Sequence, residues 1–403
     1  MQPLAGLNVL DLTWHVAGPY ATSLLADYGA DVLKVERPGV GDPARRYGPF
    51  PGDVPHPERS GTFLHLNTNK RSITLDLQTA PGRALIMALA RDADVVVESF
   101  APRVLSSLGL DYDALSRINP RLVMCSLSNF GQTGPYRDWK ATDFTLHAIG
   151  GQTVSTGVSE QEPLKAADHL MEYQAGSMVA LAVMGAVLHQ RWQGVGQYID
   201  VAVYEVIQTS ADRRMTALLG YEYNGQPAVR SPMLPTALPL GYFPCKDGYV
   251  CMVVAPPARW TRFMALIGRE DLIDDSRFQS PDVWARPEIK EEIDGMFYPW
   301  LLERTKQQVM EEAQAARIAT TAISTPLDVL NDPHFQARGF FRRADHPEAG
   351  VLPYAGPSFS IDGGGWELRS TAPLLGQHNQ EVYMGRLGLA PHEMSRLRAE
   401  GVV

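Results

Sequence analysis

Five cations stand where an α/β protein receives its ligands. Arg37, Lys70, Arg71, Arg103 and Lys140 each read as lying just after a strand or in a loop, the places from which parallel sheets bind small molecules. A few local Arg and Lys side chains suffice for a small phosphorylated ligand. Any one of them, taken singly, is as readily a surface cation in an ordinary ion pair. Asp168 and Glu172 fall at the head of a helical run rich in Ala and Gly. A carboxylate there also satisfies orphan backbone N–H groups and the helix dipole. His15 follows the first strand-like run, a position where a lone histidine is often structural. Cys125, Cys245 and Cys251 are too few and too scattered for a disulfide framework or a zinc site, and no metal is expected. There is no Gly-x-Gly-x-x-Gly after the first strand, no Walker-type phosphate loop and no Gly-x-Ser-x-Gly elbow. These residues alone leave the ligand open.

The elements that must position them alternate. Leu7–Leu12 reads as a strand, Gly18–Gly29 as a helix with apolar residues at helical spacing, and Asp31–Val35 as a second strand. The pattern continues with a helix over Pro81–Ala90, a strand over Asp94–Glu98, a short helix over Asp113–Ile118 and a strand over Leu122–Ser126. Strands separated by crossover helices predict a parallel sheet covered on both faces. A strongly apolar helix spans about Tyr173–Trp192, stopped by Gly194-Val195-Gly196, and another strand follows over Gln197–Val203. Beyond it come a proline-rich stretch, a hairpin over Tyr242–Val254 turning at Lys246-Asp247-Gly248, and charged helical patterns up to Arg317. The predicted domains are a large one over 1–205, a linker over 206–230, a small α+β domain over 231–325, a linker over 326–350 and a return to the large domain over 351–403.

With 403 residues, 45% apolar and 20% charged, the chain reads as a soluble globular protein. A net charge of −9 argues against nucleic acid as its main partner. No basic and apolar leader and no run of transmembrane length is visible, so a cytoplasmic protein without a membrane partner is expected.

The specific signal is a series of short motifs in fixed order. They include Leu7–Thr13 with Ala17-Gly18-Pro19, Gly29–Pro38 with Gly41-Asp42-Pro43, and Asn69–Leu77. Glu98–Pro102, Asn119–Leu122, Gly131–Tyr136, Arg191–Gln197 and Ala372–His378 complete the series. Together they closely resemble the class III CoA-transferase family, typified by formyl-CoA transferase and crotonobetainyl-CoA transferase and including α-methylacyl-CoA racemase. The resemblance covers nearly the whole chain. It implies an α/β protein whose Rossmann-like large domain has a parallel sheet built from both chain ends, with the smaller α+β domain between them. It also implies an interlocked dimer, either a homodimer or a heteromer with a homologous subunit. No cofactor would be bound permanently; coenzyme A and acyl-CoA would be substrates, with a carboxylic acid as the other partner.

On this resemblance Arg37, Arg71, Arg103 and Lys140 line the nucleotide pocket, Lys70 adds a further cation, and Phe100 and Pro102 flank the adenine. Class III transferases use an aspartate four residues before a glycine at the start of the small-residue helix. It attacks the thioester, forms a mixed anhydride and then an enzyme-bound CoA thioester. Here that position, four before Gly176, holds Glu172. The group is the same on a longer stem, and a carboxylate displaced by about 1.5 Å can cost around a hundredfold in rate. Asp168 is the substitute, about 6 Å back along a helix. Formyl-CoA transferase carries an oxyanion-stabilising glutamine where this chain has Val16, and the adjacent His15 is the candidate donor in its place. With that glutamine absent and no glycine-rich lid between Ser231 and Pro257, oxalate and formate are not expected substrates. The racemase histidine position holds Thr142, so racemisation is not expected either. Two readings remain: transfer of CoA, with succinyl-CoA as a donor and a substituted dicarboxylate as acceptor, or a silent CoA-binding subunit of a heteromeric enzyme.

Overall fold

The computed structural model describes residues 2–210, 219–227, 238–254, 258–278, 286–362 and 365–403. The chain divides into two units, one of Met1–Gly157, Pro163–Val229 and Gly339–Val403, the other of Val158–Glu162 and Arg230–Arg338.

The first unit is built on a parallel sheet of β1 (Asn8–Leu12), β2 (Asp31–Glu36), β3 (Lys70–Thr74), β4 (Val95–Glu98), β5 (Val123–Ser128) and β6 (Tyr198–Ala202). Their order is β3-β2-β1-β4-β5-β6. Its helices include α1 (Ala17–Asp27), α2 (Gly61–Leu66), α3 (Ala80–Ala90), α4 (Val104–Ser107), α5 (Tyr112–Ile118), α6 (Asp143–Ile149), α7 (Leu170–Gln193) and α8 (Val203–Ser210), with a further helix over Pro391–Ala399. Successive strand residues face opposite sides, and both sides are apolar. Val9, Val32, Val97 and Cys125 pack with α1 and α7, whereas Leu10, Leu33, Val96 and Met124 pack with α3 and α5. All six strands come from the first 202 residues. The C-terminal segment joins the second face through Val382, Tyr383, Met394, Leu397 and Val402. It also supplies an antiparallel pair, β10 (Phe341–His346) with β11 (Gly350–Ala355).

Against the expectation of no run of transmembrane length, α7 has 24 residues and contains an 18-residue stretch of mean hydropathy 1.3, long and apolar enough to cross a membrane by those measures. Its apolarity is spent on packing: Met171, Ala175, Val179 and Val183 are buried in the core. Gly176 lets α7 approach α1, since a Cβ there would lie 2.5 Å from the Ala17 carbonyl oxygen. Gly176→Ala is therefore expected to cost about 1–3 kcal/mol, as overpacked sites do, measured by urea unfolding.

A buried ionic network lies under the sheet's first three strands. Lys70 Nζ sits 3.0 Å from Asp11 Oδ2 and also reaches Pro19 O, Thr22 Oγ1 and Asn67 Oδ1. Lys34 Nζ pairs with Asp42 at 2.8 Å and donates to Thr13 O at 2.9 Å. Asp42 Oδ1 in turn accepts the backbone N–H groups of His15 and Ala44 at 3.0 and 2.8 Å. This holds His15 in a left-handed conformation, φ 66°, that few non-glycine residues adopt.

In the second unit β7 (Leu240–Cys245), β8 (Gly248–Val253) and β9 (Ala319–Ala322) form an antiparallel sheet. The predicted hairpin is β7–β8. Val250, Met252, Phe263, Phe297 and Leu301 fill the core of this unit. The stretch read as a linker over 326–350 is instead ordered into helices Pro326–Leu330 and Pro333–Ala337 and strand β10. Pro326 and Pro333 are first-turn residues behind the side-chain caps Thr325 and Asp332 rather than linker residues. Of the linker read over 206–230, α8 occupies the start and residues 211–218 and 228–230 lie outside the described ones. The small domain read from Ser231 likewise begins on residues outside them.

Candidate active site

The carboxyl ends of the parallel strands open into a cavity of about 580 Å³, the edge at which such sheets take ligands. The turn after β1 contributes Trp14, His15 and Val16, and the turn after β4 contributes Ser99 to Pro102. Leu127 to Asn129 lie at the end of β5. Arg137, Trp139 to Asp143, His169 and Glu172 close the opposite side. His15, Val16, Phe100, Pro102, Lys140 and Glu172 thus line one cavity. Arg37 stands just outside, its guanidinium carbon 5.1 Å from the Trp14 ring centre. Trp14 meets Phe100 edge to face at 5.2 Å.

The other anticipated cations lie elsewhere. Lys70 and Arg71 open β3 opposite Val32 and Leu33, at the start of β2, so they occupy the amino edge of the sheet. Lys70 is not a ligand-binding cation; its side chain is fully buried and ion-paired with Asp11. Arg71 is held by Asp31 and Glu381 in a separate cavity. Neither follows a strand, because the polar run Lys70–Thr74 is itself one. Arg103 pairs with Asp138 at 3.3 Å and lines a neighbouring smaller cavity. Asp168 is outside the cavity lining; it adopts φ 48° and its carbonyl accepts from Lys165 Nζ.

Glu172 lies in the first turn of α7. Burial raises its pKa above the ordinary carboxylate value; His169 and Lys165 oppose the rise and Asp143 adds to it. His169 Nδ1 lies 2.9 Å from Glu172 Oε2. Asp143, at the start of α6, receives Lys165 Nζ at 2.6 Å and the Met171 N–H at 3.2 Å. Burial lowers the pKa of His15, with Asp42 opposing, which favours its neutral form. Trp14, Trp139, Asp143 and His169 escape the sequence reading. His169 alone carried a signal, its spacing three residues before Glu172, one helical turn.

Glu98, at the end of β4, is 4% exposed and accepts the N–H of the cavity residue Phe100 at 2.8 Å. Burial pushes its carboxyl up from an ordinary 4.5 to about 7. The folded state then holds a proton that the unfolded chain has released, so stability falls as pH rises through that window. Relative to the parent, Glu98→Gln is expected to gain about 3 kcal/mol in unfolding free energy between pH 4 and pH 8. Urea titrations at both pH values measure it.

Fold and cavity define an α/β scaffold with an open cavity at the carboxyl edge of its sheet and a carboxylate of raised pKa in the wall. The chain belongs to CoA-transferase family III, which it matches over residues 4–379. Members of this class act on CoA thioesters, and the chain is an enzyme of the class. It is 34% identical to the succinyl-CoA–D-citramalate CoA-transferase of Chloroflexus aurantiacus, over 100% of this chain and 98% of that one. It is 33% identical to the succinyl-CoA–L-malate CoA-transferase beta subunit of the same organism, again over 100% and 98%. A solved CAIB/BAIF family protein from Brucella suis superposes with a TM-score of 0.83 at 29% identity, covering 95% of this chain and 99% of that one.

Proposed function

We propose that this enzyme moves CoA from an acyl-CoA, with succinyl-CoA as donor, to a carboxylic acid acceptor, and that Glu172 is the nucleophile. The observation that carries this is Glu172 itself, a side-chain carboxylate of α7 in the wall of the carboxyl-edge cavity. The relatives named for succinyl-CoA support the donor. Glu172 attacks the thioester carbon and expels the CoA thiolate, leaving an acyl–glutamyl anhydride. The thiolate attacks the glutamyl carbonyl and releases the donor acid, leaving a glutamyl–CoA thioester. The acceptor carboxylate attacks that thioester carbonyl, giving a new anhydride and free thiolate. Attack of the thiolate on the acceptor's carbonyl then yields the new acyl-CoA and frees Glu172. Each step exchanges one activated acyl bond for another, and the overall transfer conserves the thioester. Arg37 and Lys140 serve the phosphates of CoA, and neutral His15 donates toward the developing oxyanion.

Incubation with succinyl-CoA followed by hydroxylamine, read by peptide mass spectrometry, tests this reading. The expected product is a hydroxamate on Glu172. Unmodified Glu172 together with no transfer to any acid in a panel would overturn it. That outcome is the one favoured by the second reading, a silent CoA-binding subunit. The relative named as a beta subunit and the glutamate in place of aspartate support that alternative.

A further inference from the structure

The start of α7 is built in an unusual way. Helix N-caps are commonly Ser, Thr, Asp or Asn, whose side chains accept an orphan N–H. Here the N-cap is His169, and its side chain makes no cap hydrogen bond. The Met171 N–H is taken instead by Asp143, from another helix. The imidazole is thereby released from helix duty, and it reaches along the helix to Glu172 Oε2 at 2.9 Å. Residues three apart share a helix face, and the long glutamate stem lets its carboxylate fold back to that contact. An aspartate stem, one methylene shorter, would leave its carboxylate about 1.5 Å away.

We propose that His169 is a positioning residue for Glu172, holding one carboxylate oxygen so that the other is presented to the thioester, and favouring the ionised form. The proposal rests on Glu172 being the nucleophile. It accounts for how a glutamate works in a place suited to a shorter side chain: the added stem freedom is removed by a contact that only the longer stem makes. The charged groups around Glu172 come from three directions. Asp143 faces it from the start of α6 and disfavours ionisation, while Lys165 faces it from the preceding loop and favours it. His15 lines the same cavity from the turn after β1. Asp143 and Lys165 hold each other at 2.6 Å and act on Glu172 in opposite directions. His169 is the charged neighbour with the largest effect on it.

The test measures single-turnover labelling of Glu172 by succinyl-CoA against pH, in the parent, His169→Gln and His169→Ala. Without the imidazole, Glu172 ionises at higher pH, so the labelling profile is expected to move to higher pH. The maximal rate is expected to fall about tenfold, with the KM for succinyl-CoA within about twofold of the parent. Side-chain exposure of 46% at His169 leaves room for a diffusible replacement, so free imidazole is expected to restore His169→Ala but not His169→Gln. A structural defect would move neither the pH profile nor respond to imidazole. If the parent labels at Glu172 and both variants match its profile and rate, the positioning role is wrong and the nucleophile stands. If the parent never labels at Glu172, the nucleophile reading fails first and takes this proposal with it.

Discussion

Glu172→Gln is expected to lower kcat for CoA transfer at least about a thousandfold, with little change in KM for the acyl-CoA. The amide matches the carboxylate in shape but carries no anionic oxygen, so it cannot form the anhydride on which both half-reactions depend. The residues proposed for the CoA phosphates, Arg37 and Lys140, are untouched, and for that reason binding should survive. Glu172 is partly exposed at 23%, so the change should leave the unfolding midpoint near the parent value. Steady-state kinetics with succinyl-CoA and an acceptor panel, paired with a thermal melt, separate a chemical loss from a folding one. A variant that transfers CoA at the parent rate would remove Glu172 from the chemistry.

Lys70→Met is expected to destabilise the fold by about 3–5 kcal/mol, because it strands a buried carboxylate. Burial alone would raise the pKa of Asp11, but Lys70, Lys34 and the hydroxyls of Thr13 and Thr22 together hold it well below the carboxylate range. A carboxyl depressed in this way contributes stability above its unfolded pKa and loses it as pH falls through the folded one. Losing the Lys70 partner raises the folded value, so acid unfolding of the variant should begin at higher pH than in the parent. Urea midpoints at neutral pH and circular dichroism on acidification give both quantities. A neutral-pH loss under 1 kcal/mol would mean that Lys34 alone balances Asp11.

Lys70 marks where sequence and structure part company. The strands β1, β2, β4, β5 and β6 were legible because each is an apolar run between helical patterns. β3 was hidden by its own composition: Lys70, Arg71 and Ser72 read as a loop. Their polarity is absorbed within the sheet, Lys70 by Asp11 and Ser72 by Glu36, and no single-residue scale anticipates such pairings. That error moved Lys70 and Arg71 from the wrong edge of the sheet into the candidate site. The contributors that were found sit at strand ends that the apolar runs already marked: His15 and Val16 after β1, Phe100 and Pro102 after β4. Asp143 went unread because its role depends on how α6 meets α7, a contact between segments that spacing along the chain does not encode, whereas His169 was marked by its spacing to Glu172 and was passed over. The prolines at 326 and 333 misled for a different reason, since the same residue type opens helices and breaks them.

The late arrival of one side of the sheet bears on how the protein is made. Every strand of the parallel sheet has been synthesised by residue 202, and α1, α7 and α8, which cover one face, by residue 210. The other face must wait through a further 180 or so residues for Val382, Tyr383, Met394, Leu397 and Val402. At the ordinary synthesis rate of about 5–20 residues per second, it stays partly uncovered for roughly ten seconds or more. During that interval Leu33, Val96 and Met124 are held back from water mainly by α3 and α5. A nascent chain of this enzyme should therefore be most prone to sticking, and most dependent on chaperones, in the last stretch before its release.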